Sequence, residues 1–329
     1  MGINLKNIQP HKVSRQLSGY MTYVYGPGGS GKTTLGSQMP NPLILAFEKG
    51  YNALPGVMAQ DITSWGEMKQ VLRQLDDPEV KEMFSSIVVD TVDIASQLCE
   101  RYVCSQLGIE NIGDGGWAVN GWAKVKKEWE TTFRTLAMKG YAILFISHSK
   151  EKKFQRKDGT EYDGIVPSCS KAYNEIIRNM CDLQGFIHVD NNDRKMVLRW
   201  RDETIECKSR FALIEPVIPF SYDSLVKALN DAIDAESKLN NGKFVTTEKI
   251  SYSEPTIYDF DKIMAEFNSI VETLSKEANF GEYWAPRITE IIERYLGKGK
   301  KVNECSRDQA ELLSLVVDEL KDLIPNTNA

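Results

Sequence analysis

Gly26-Pro27-Gly28-Gly29-Ser30-Gly31-Lys32-Thr33 satisfies every constrained position of G-x-x-x-x-G-K-S/T, the phosphate-binding loop. The stretch before it, Tyr20 to Tyr25, is rich in aromatic and β-branched residues, and Thr34 and Leu35 after it can open a helix. Strand, loop and helix in that order are what the motif requires. The glycines let successive backbone N–H groups turn inward onto phosphate oxygens, and the helix adds its positive N-terminal end. Residues Gly26 to Thr34 are therefore expected to cradle the phosphates of ATP, with Lys32 reaching the β- and γ-phosphates and the Thr33 hydroxyl on Mg²⁺.

Outward from the loop, Met21–Tyr25, Leu43–Phe47, Ile87–Val89 and Tyr141–Ile146 are short apolar runs, the signature of strands buried on both faces of a parallel sheet. Between them apolar residues recur at helical spacing, as in Trp129, Phe133 and Leu136. Alternating strands and helices predict an α/β fold with a doubly wound, mostly parallel sheet. Asp182–Val189 and Lys195–Trp200 flank Asp190-Asn191-Asn192-Asp193 and predict an antiparallel hairpin extending the sheet. Ser221–Leu239 reads as a closing helix, and the polar stretch around Asn240-Asn241-Gly242 as a linker. Apolar spacing from Ile257 to Leu274 and from Trp284 to Tyr295, then the capping box Ser306–Gln309 before Leu312 to Leu320, predicts a small C-terminal α-helical domain. The expected division is an N-terminal segment 1–18, an ATPase domain 19–239, a linker 240–255 and a helical domain 256–329.

The 329 residues carry a net charge of −6 and six cysteines, with no C-x-x-C pair. Free thiols, no apolar run of about 20 residues and a polar first 16 residues argue for a cytoplasmic protein without a membrane span. The acidic balance argues against indiscriminate nucleic-acid binding while permitting a local basic groove.

Three strand ends carry polar groups where parallel sheets bind ligands. Ser86-Ile-Val-Val-Asp90 ends in the acid expected to orient Mg²⁺ beside Thr33. Leu43-Ile-Leu-Ala-Phe-Glu48 ends in a carboxylate placed to orient or deprotonate water. Ala142-Ile-Leu-Phe-Ile146 runs into Ser147 and His148, and His148 is placed to sense the γ-phosphate.

This order of elements resembles the RecA-like P-loop ATPase core, and more closely the phage-encoded, minimal RecA-like proteins of the Sak single-strand annealing group. Glu48 falls where RecA-like ATPases have their catalytic glutamate. His148 stands where RecA has a phosphate-sensing glutamine, a departure from that pattern. Cys207-Lys208-Ser209-Arg210-Phe211 resembles the Lys-Asn-Arg-Phe element of the RadA branch-migration proteins. The resemblance spans about Gly19 to Ala235 and leaves the C-terminal bundle without a counterpart. It implies an ATPase stimulated by single-stranded DNA that acts in recombination, repair or replication within the host cytoplasm. It further implies a homo-oligomeric ring or filament in which Lys208 and Arg210 reach a neighbour's ATP, and a single-stranded-DNA-binding protein as a further partner.

Two segments correspond to DNA-binding loops in that group. Asn111–Trp122 holds four glycines, which predict mobility, and Trp117 and Trp122, which can stack on bases. Lys150-Glu-Lys-Lys-Phe-Gln-Arg-Lys157 sets Lys150, Lys152, Lys153, Arg156 and Lys157 around Phe154, a strip suited to a nucleic-acid backbone. A lysine run is equally what a solvated face looks like. Two other readings share the phosphate loop: a kinase, and a nucleotide switch without turnover.

Overall fold

A computed structural model of the chain describes residue 6 and residues 8–191, 193–199, 204–239, 241–248 and 257–324. Trp200, Asn240 and residues 249–255 of the predicted linker lie outside these, as does Thr256.

The first part of the chain carries strands β1 (Val13–Ser14) and β2 (Met21–Gly26), helix α1 (Lys32–Ser37), then β3 (Pro42–Ala46) and β4 (Met58–Asp61). Helices α2 (Trp65–Gln74) and α3 (Pro78–Met83) lead to β5 (Ser86–Asp90), followed by α4 (Val92–Leu107), α5 (Gly116–Val119) and α6 (Gly121–Met138). Strands β6 (Ala142–Gln155) and β7 (Glu161–Pro167) precede α7 (Lys171–Met180). Then come β8 (Leu183–Asp190), β9 (Asp193–Val197), β10 (Lys208–Ser209), β11 (Val217–Pro219), α8 (Tyr222–Leu239) and β12 (Val245–Thr246).

The main sheet runs β11-β9-β8-β2-β6-β5-β3-β4. From β8 to β4 every neighbour is parallel, and β9 and β11 add the antiparallel extension. The predicted α/β core is therefore present. Its apolar runs are continuous because both faces are covered. Tyr23, Leu45, Val89, Ile143 and Phe145 pack under α2, α4, α6 and α7, with Trp65, Trp129, Phe133 and Tyr173. Their neighbours Val24, Ile44, Val88, Leu144 and Ile146 face α1 and α8. Each large side chain buried this way contributes about 1.5–3 kcal/mol.

The described residues form two compact units, one within residues 10–254 and the other within residues 255–329 and 1–9. Within the larger unit β1 pairs in parallel with β12, so Val245 and Thr246, inside the predicted linker, belong to this unit's structure. The short strand forms because Val13 and Val245 both pack against the α8 side of the core. The smaller unit holds α9 (Phe260–Ser275), α10 (Ala285–Leu296) and α11 (Ala310–Lys321) around Phe267, Leu274, Ile291, Leu313 and Val317. Gly297, at φ 100°, ends α10, and Ser306 with Gln309 forms the capping box before α11. Ile257, counted in the apolar pattern, is exposed, because α9 starts after it at the Asp259 cap.

Candidate active site

β2 ends at Gly26 and α1 begins at Lys32, so the loop crosses from sheet to helix as the motif predicts. Gly29 and Gly31 hold φ values of 71° and 95°, a region where side chains are strained. Lys32 is buried, and its Nζ donates to Gly26 O at 2.9 Å and Pro27 O at 2.8 Å. Burial pulls the ammonium below the usual lysine range, against the raising pull of Asp90 and Glu48.

Thr33 Oγ1 donates to Asp90 Oδ2 at 2.6 Å. Burial lifts the Asp90 carboxyl to about 6, opposed by the Thr33 hydrogen bond. A hydroxyl and a carboxylate side by side are hard oxygen donors and fit Mg²⁺, which keeps few protein ligands beside water and phosphate. Bound there, Mg²⁺ would neutralise phosphate charge.

Glu48 lies just past β3, and its position is set from the backbone. The N–H groups of Phe47 and Glu48 both donate to Asp90 O, at 2.7 and 3.2 Å. The Glu48 carboxylate meets His148 Nε2, with both oxygens at 3.2 Å, and accepts from Thr91 Oγ1 at 3.5 Å. The His148 hydrogen bond holds Glu48 below the usual carboxylate range, and the same bond raises His148. The contact thus favours the charged form of each partner. Register explains how His148 arrives: β6 lies between β2 and β5, with His148 opposite Gly26 and Ile146 opposite Asp90. Lys32, Thr33, Thr34, Glu48, Asp90 and His148 line one cavity of about 220 Å³ with Gly29, Gly31 and Gly50.

Sequence reasoning missed Asp93. Its carboxylate accepts from Ser147 Oγ at 3.1 Å, from the His148 N–H at 3.2 Å and from Ser168 Oγ. It ties the first turn of α4 to both strands that leave the site. Only the motif's neighbourhood hinted at it, since an acid in the first turn of a helix is otherwise a dipole partner.

The basic segment is not a loop. β6 continues unbroken past His148 to Gln155 and pairs with β7. The pleat sorts its side chains, because residues two apart share a face and cross-strand partners share it too. Lys150, Lys152 and Phe154 fall on one face, opposite Val166, Gly164 and Tyr162. Phe154 and Tyr162 stack at 5.4 Å, Lys152 sits over the Phe154 ring and Arg156 over the Tyr162 ring. The other face carries Glu151 and Lys153 with Glu161 and Asp163, and Lys153 lies 3.8 Å from Glu161. Lys153 thus leaves the predicted strip, and Tyr162 joins it. Lys157 lies in the exposed turn.

In the other predicted DNA segment the glycines make defined turns. Gly115 and Gly116 hold positive φ, and a Cβ at Gly121 would stand 2.5 Å from Ile112 O. The segment is partly helical, with Trp117 on α5 at 93% exposure and Trp122 on the first turn of α6 at 58%.

Lys208 and Arg210 are engaged within their own subunit. Lys208 Nζ donates to the carbonyls of Arg178, Asn179 and Cys181 at the end of α7. Arg210 Nη1 pairs with Asp182 Oδ1 at 2.9 Å, and Asp182 Oδ2 accepts from the Met21 N–H. Lys208 lies opposite Gln184, and Leu183 lies beside Thr22 near the start of β2, whereas the phosphate loop follows the other end of that strand. Within the chain, the two side chains cap a helix and compensate a buried acid. Burial raises Asp182, so its folded value lies above its unfolded one and its ionised form costs stability at neutral pH. Arg210→Ala is expected to lower stability at pH 7 by about 1–2 kcal/mol. The loss should shrink as pH falls and the folded Asp182 takes up its proton first. Urea unfolding at pH 7 and pH 5, beside ATP turnover per folded molecule, checks this; lost turnover at unchanged stability would support the shared-site role.

Among the described residues no helix is long and apolar enough to cross a membrane. Residues 18–211 match the family model described as AAA domain. Over 335 aligned residues the chain is 32% identical to the SPbeta prophage-derived uncharacterized protein YorG of Bacillus subtilis (strain 168), covering 98% of this chain and 99% of that relative.

Proposed function

The chain belongs to the AAA-domain P-loop ATPases, a family with a prophage-derived member of matching length, and from this we propose that it is a phage-encoded ATPase that binds single-stranded DNA and acts in recombination or strand annealing, as in the Sak-type group. The observation that carries the proposal is the continuity of β6. One strand runs from the sheet core, through His148 against Glu48, into a hairpin face of cations and stacked rings. Rings that bases can stack on, beside cations that track phosphates, suit single-stranded nucleic acid. Lys32 and Thr33 hold the phosphates, Asp90 orients Mg²⁺, and Glu48 positions the attacking water. His148 relays the state of the γ-phosphate to the hairpin. Several copies assemble along the strand.

ATP hydrolysis with and without single-stranded DNA tests the reading, and stimulation is expected. Such coupling is reciprocal, so ATP tightens DNA binding by the factor by which DNA tightens ATP binding. His148→Ala should leave ATP-free DNA affinity unchanged and abolish the increment produced by a non-hydrolysable analogue, read by fluorescence anisotropy. A wild type that ignores DNA at low salt would sink the recombinase reading in favour of a nucleotide switch. Phosphate transfer to an added nucleoside or DNA end would make it a kinase.

A further inference from the structure

The cavity lined by Lys32, Thr33, Glu48 and Asp90 measures about 220 Å³, less than the roughly 300–1,000 Å³ that small-molecule sites occupy. It suits the phosphates, and the nucleoside must lie outside it. The carboxylates and His148 mark the γ-phosphate end, so the nucleoside leaves past Gly31 and Thr34. A wall stands there. β8 overhangs the loop, with Ile187 Cβ and O at 3.0 and 3.1 Å from where a Gly26 Cβ would be. The hairpin then turns back through Arg194, which lies opposite Val189. Phe220 N donates to Arg194 O at 3.0 Å, fixing the two residues side by side. A Cβ at Gly31 would stand 3.0 Å from Arg194 Nη1 and 3.1 Å from Phe220 Cε1. Both groups border the loop at Gly31, and neither lines the phosphate cavity. Arg194 is exposed, and among the described residues no carboxylate pairs with it; the adjacent Asp193 is taken by Lys195. Phe220 is anchored on the core that includes Ile218 and Leu225.

We propose that Arg194 and Phe220 form the nucleoside clip of this ATP site, the guanidinium plane and the aromatic ring holding the purine and ribose as they emerge from the loop. The proposal rests on the chain binding ATP through that loop. Guanidinium planes and aromatic rings both stack on bases. A side chain at Gly31 would be strained by the backbone conformation there and would press on both members of the clip.

Calorimetric titration of the full-length protein with ATP and with inorganic tripolyphosphate tests the assignment. Arg194→Ala and Phe220→Ala are each expected to weaken ATP by about tenfold and to leave tripolyphosphate binding as in wild type. Phe220→Tyr, which keeps the ring, should bind ATP like wild type, and Arg194→Ala, on an exposed side chain, decides the matter should Phe220→Ala misfold. Unchanged ATP affinity in Arg194→Ala overturns the clip. A parallel fall for tripolyphosphate in Arg194→Ala also overturns it, making that residue a phosphate ligand. A wild type that binds neither ligand overturns the ATP reading itself.

Discussion

Glu48→Gln is expected to bind ATP as the wild type does and to hydrolyse it about 10²-fold more slowly or worse. The argument is one of position and charge. The backbone grip of Asp90 O on the N–H groups of Phe47 and Glu48 holds the side chain at the cavity that Lys32 and Thr33 share. The His148 hydrogen bond keeps the carboxylate ionised across neutral pH, so it can accept a proton from water or align it. Glutamine preserves size and one hydrogen bond and removes that capacity. Lys32→Ala serves as the contrast, because it should lose nucleotide binding itself. Single-turnover hydrolysis beside equilibrium ATP binding separates the two. Near-normal turnover in Glu48→Gln would remove this residue from catalysis.

Replacing Lys152 and Arg156 together with serine should weaken single-stranded DNA by about 10- to 100-fold at low salt. The dependence of log affinity on log salt should become shallower by about 1.4, since each cation on a single strand contributes about 0.7. Lys153→Ser should change little, because Lys153 shares its face with Glu161 and Asp163. Phe154→Ala should cost about 1–3 kcal/mol of DNA affinity with an unaltered salt slope, since stacking releases no counterions. An anisotropy series across salt reads all three. Equal effects from Lys152 and Lys153 would show that the pleat does not select the binding face.

The phosphate loop and the strand ends carrying Glu48, Asp90 and His148 could be read from the chain because they are local: a short apolar run, then a polar residue. The sorting of the hairpin could not be read. Lys150 to Gln155 has no apolar alternation, since that strand is solvated on both faces, and without alternation a strand looks like a loop. Asp93 acquires its role from Ser168, 75 positions away. Lys208 and Arg210 were read by resemblance, and the register of β10 on β8, which sends them to the end of α7, is a tertiary fact. Arg194 and Phe220 carry no motif and meet Gly31 only through the pairing of four strands, β2, β8, β9 and β11.

The unbroken run of β6 has a mechanical consequence. From His148 to Gln155 the strand spans roughly 23 Å at the usual rise per residue, and it is braced by β7 along that length. If it pivots at the Asp93 hydrogen bonds, it would act as a lever arm. A tilt of about 10° at the fulcrum would swing the tip by about 4 Å, close to the spacing of one base step along a strand. A shift of a fraction of an ångström beside the γ-phosphate would thus be geared up to the stride of a nucleotide.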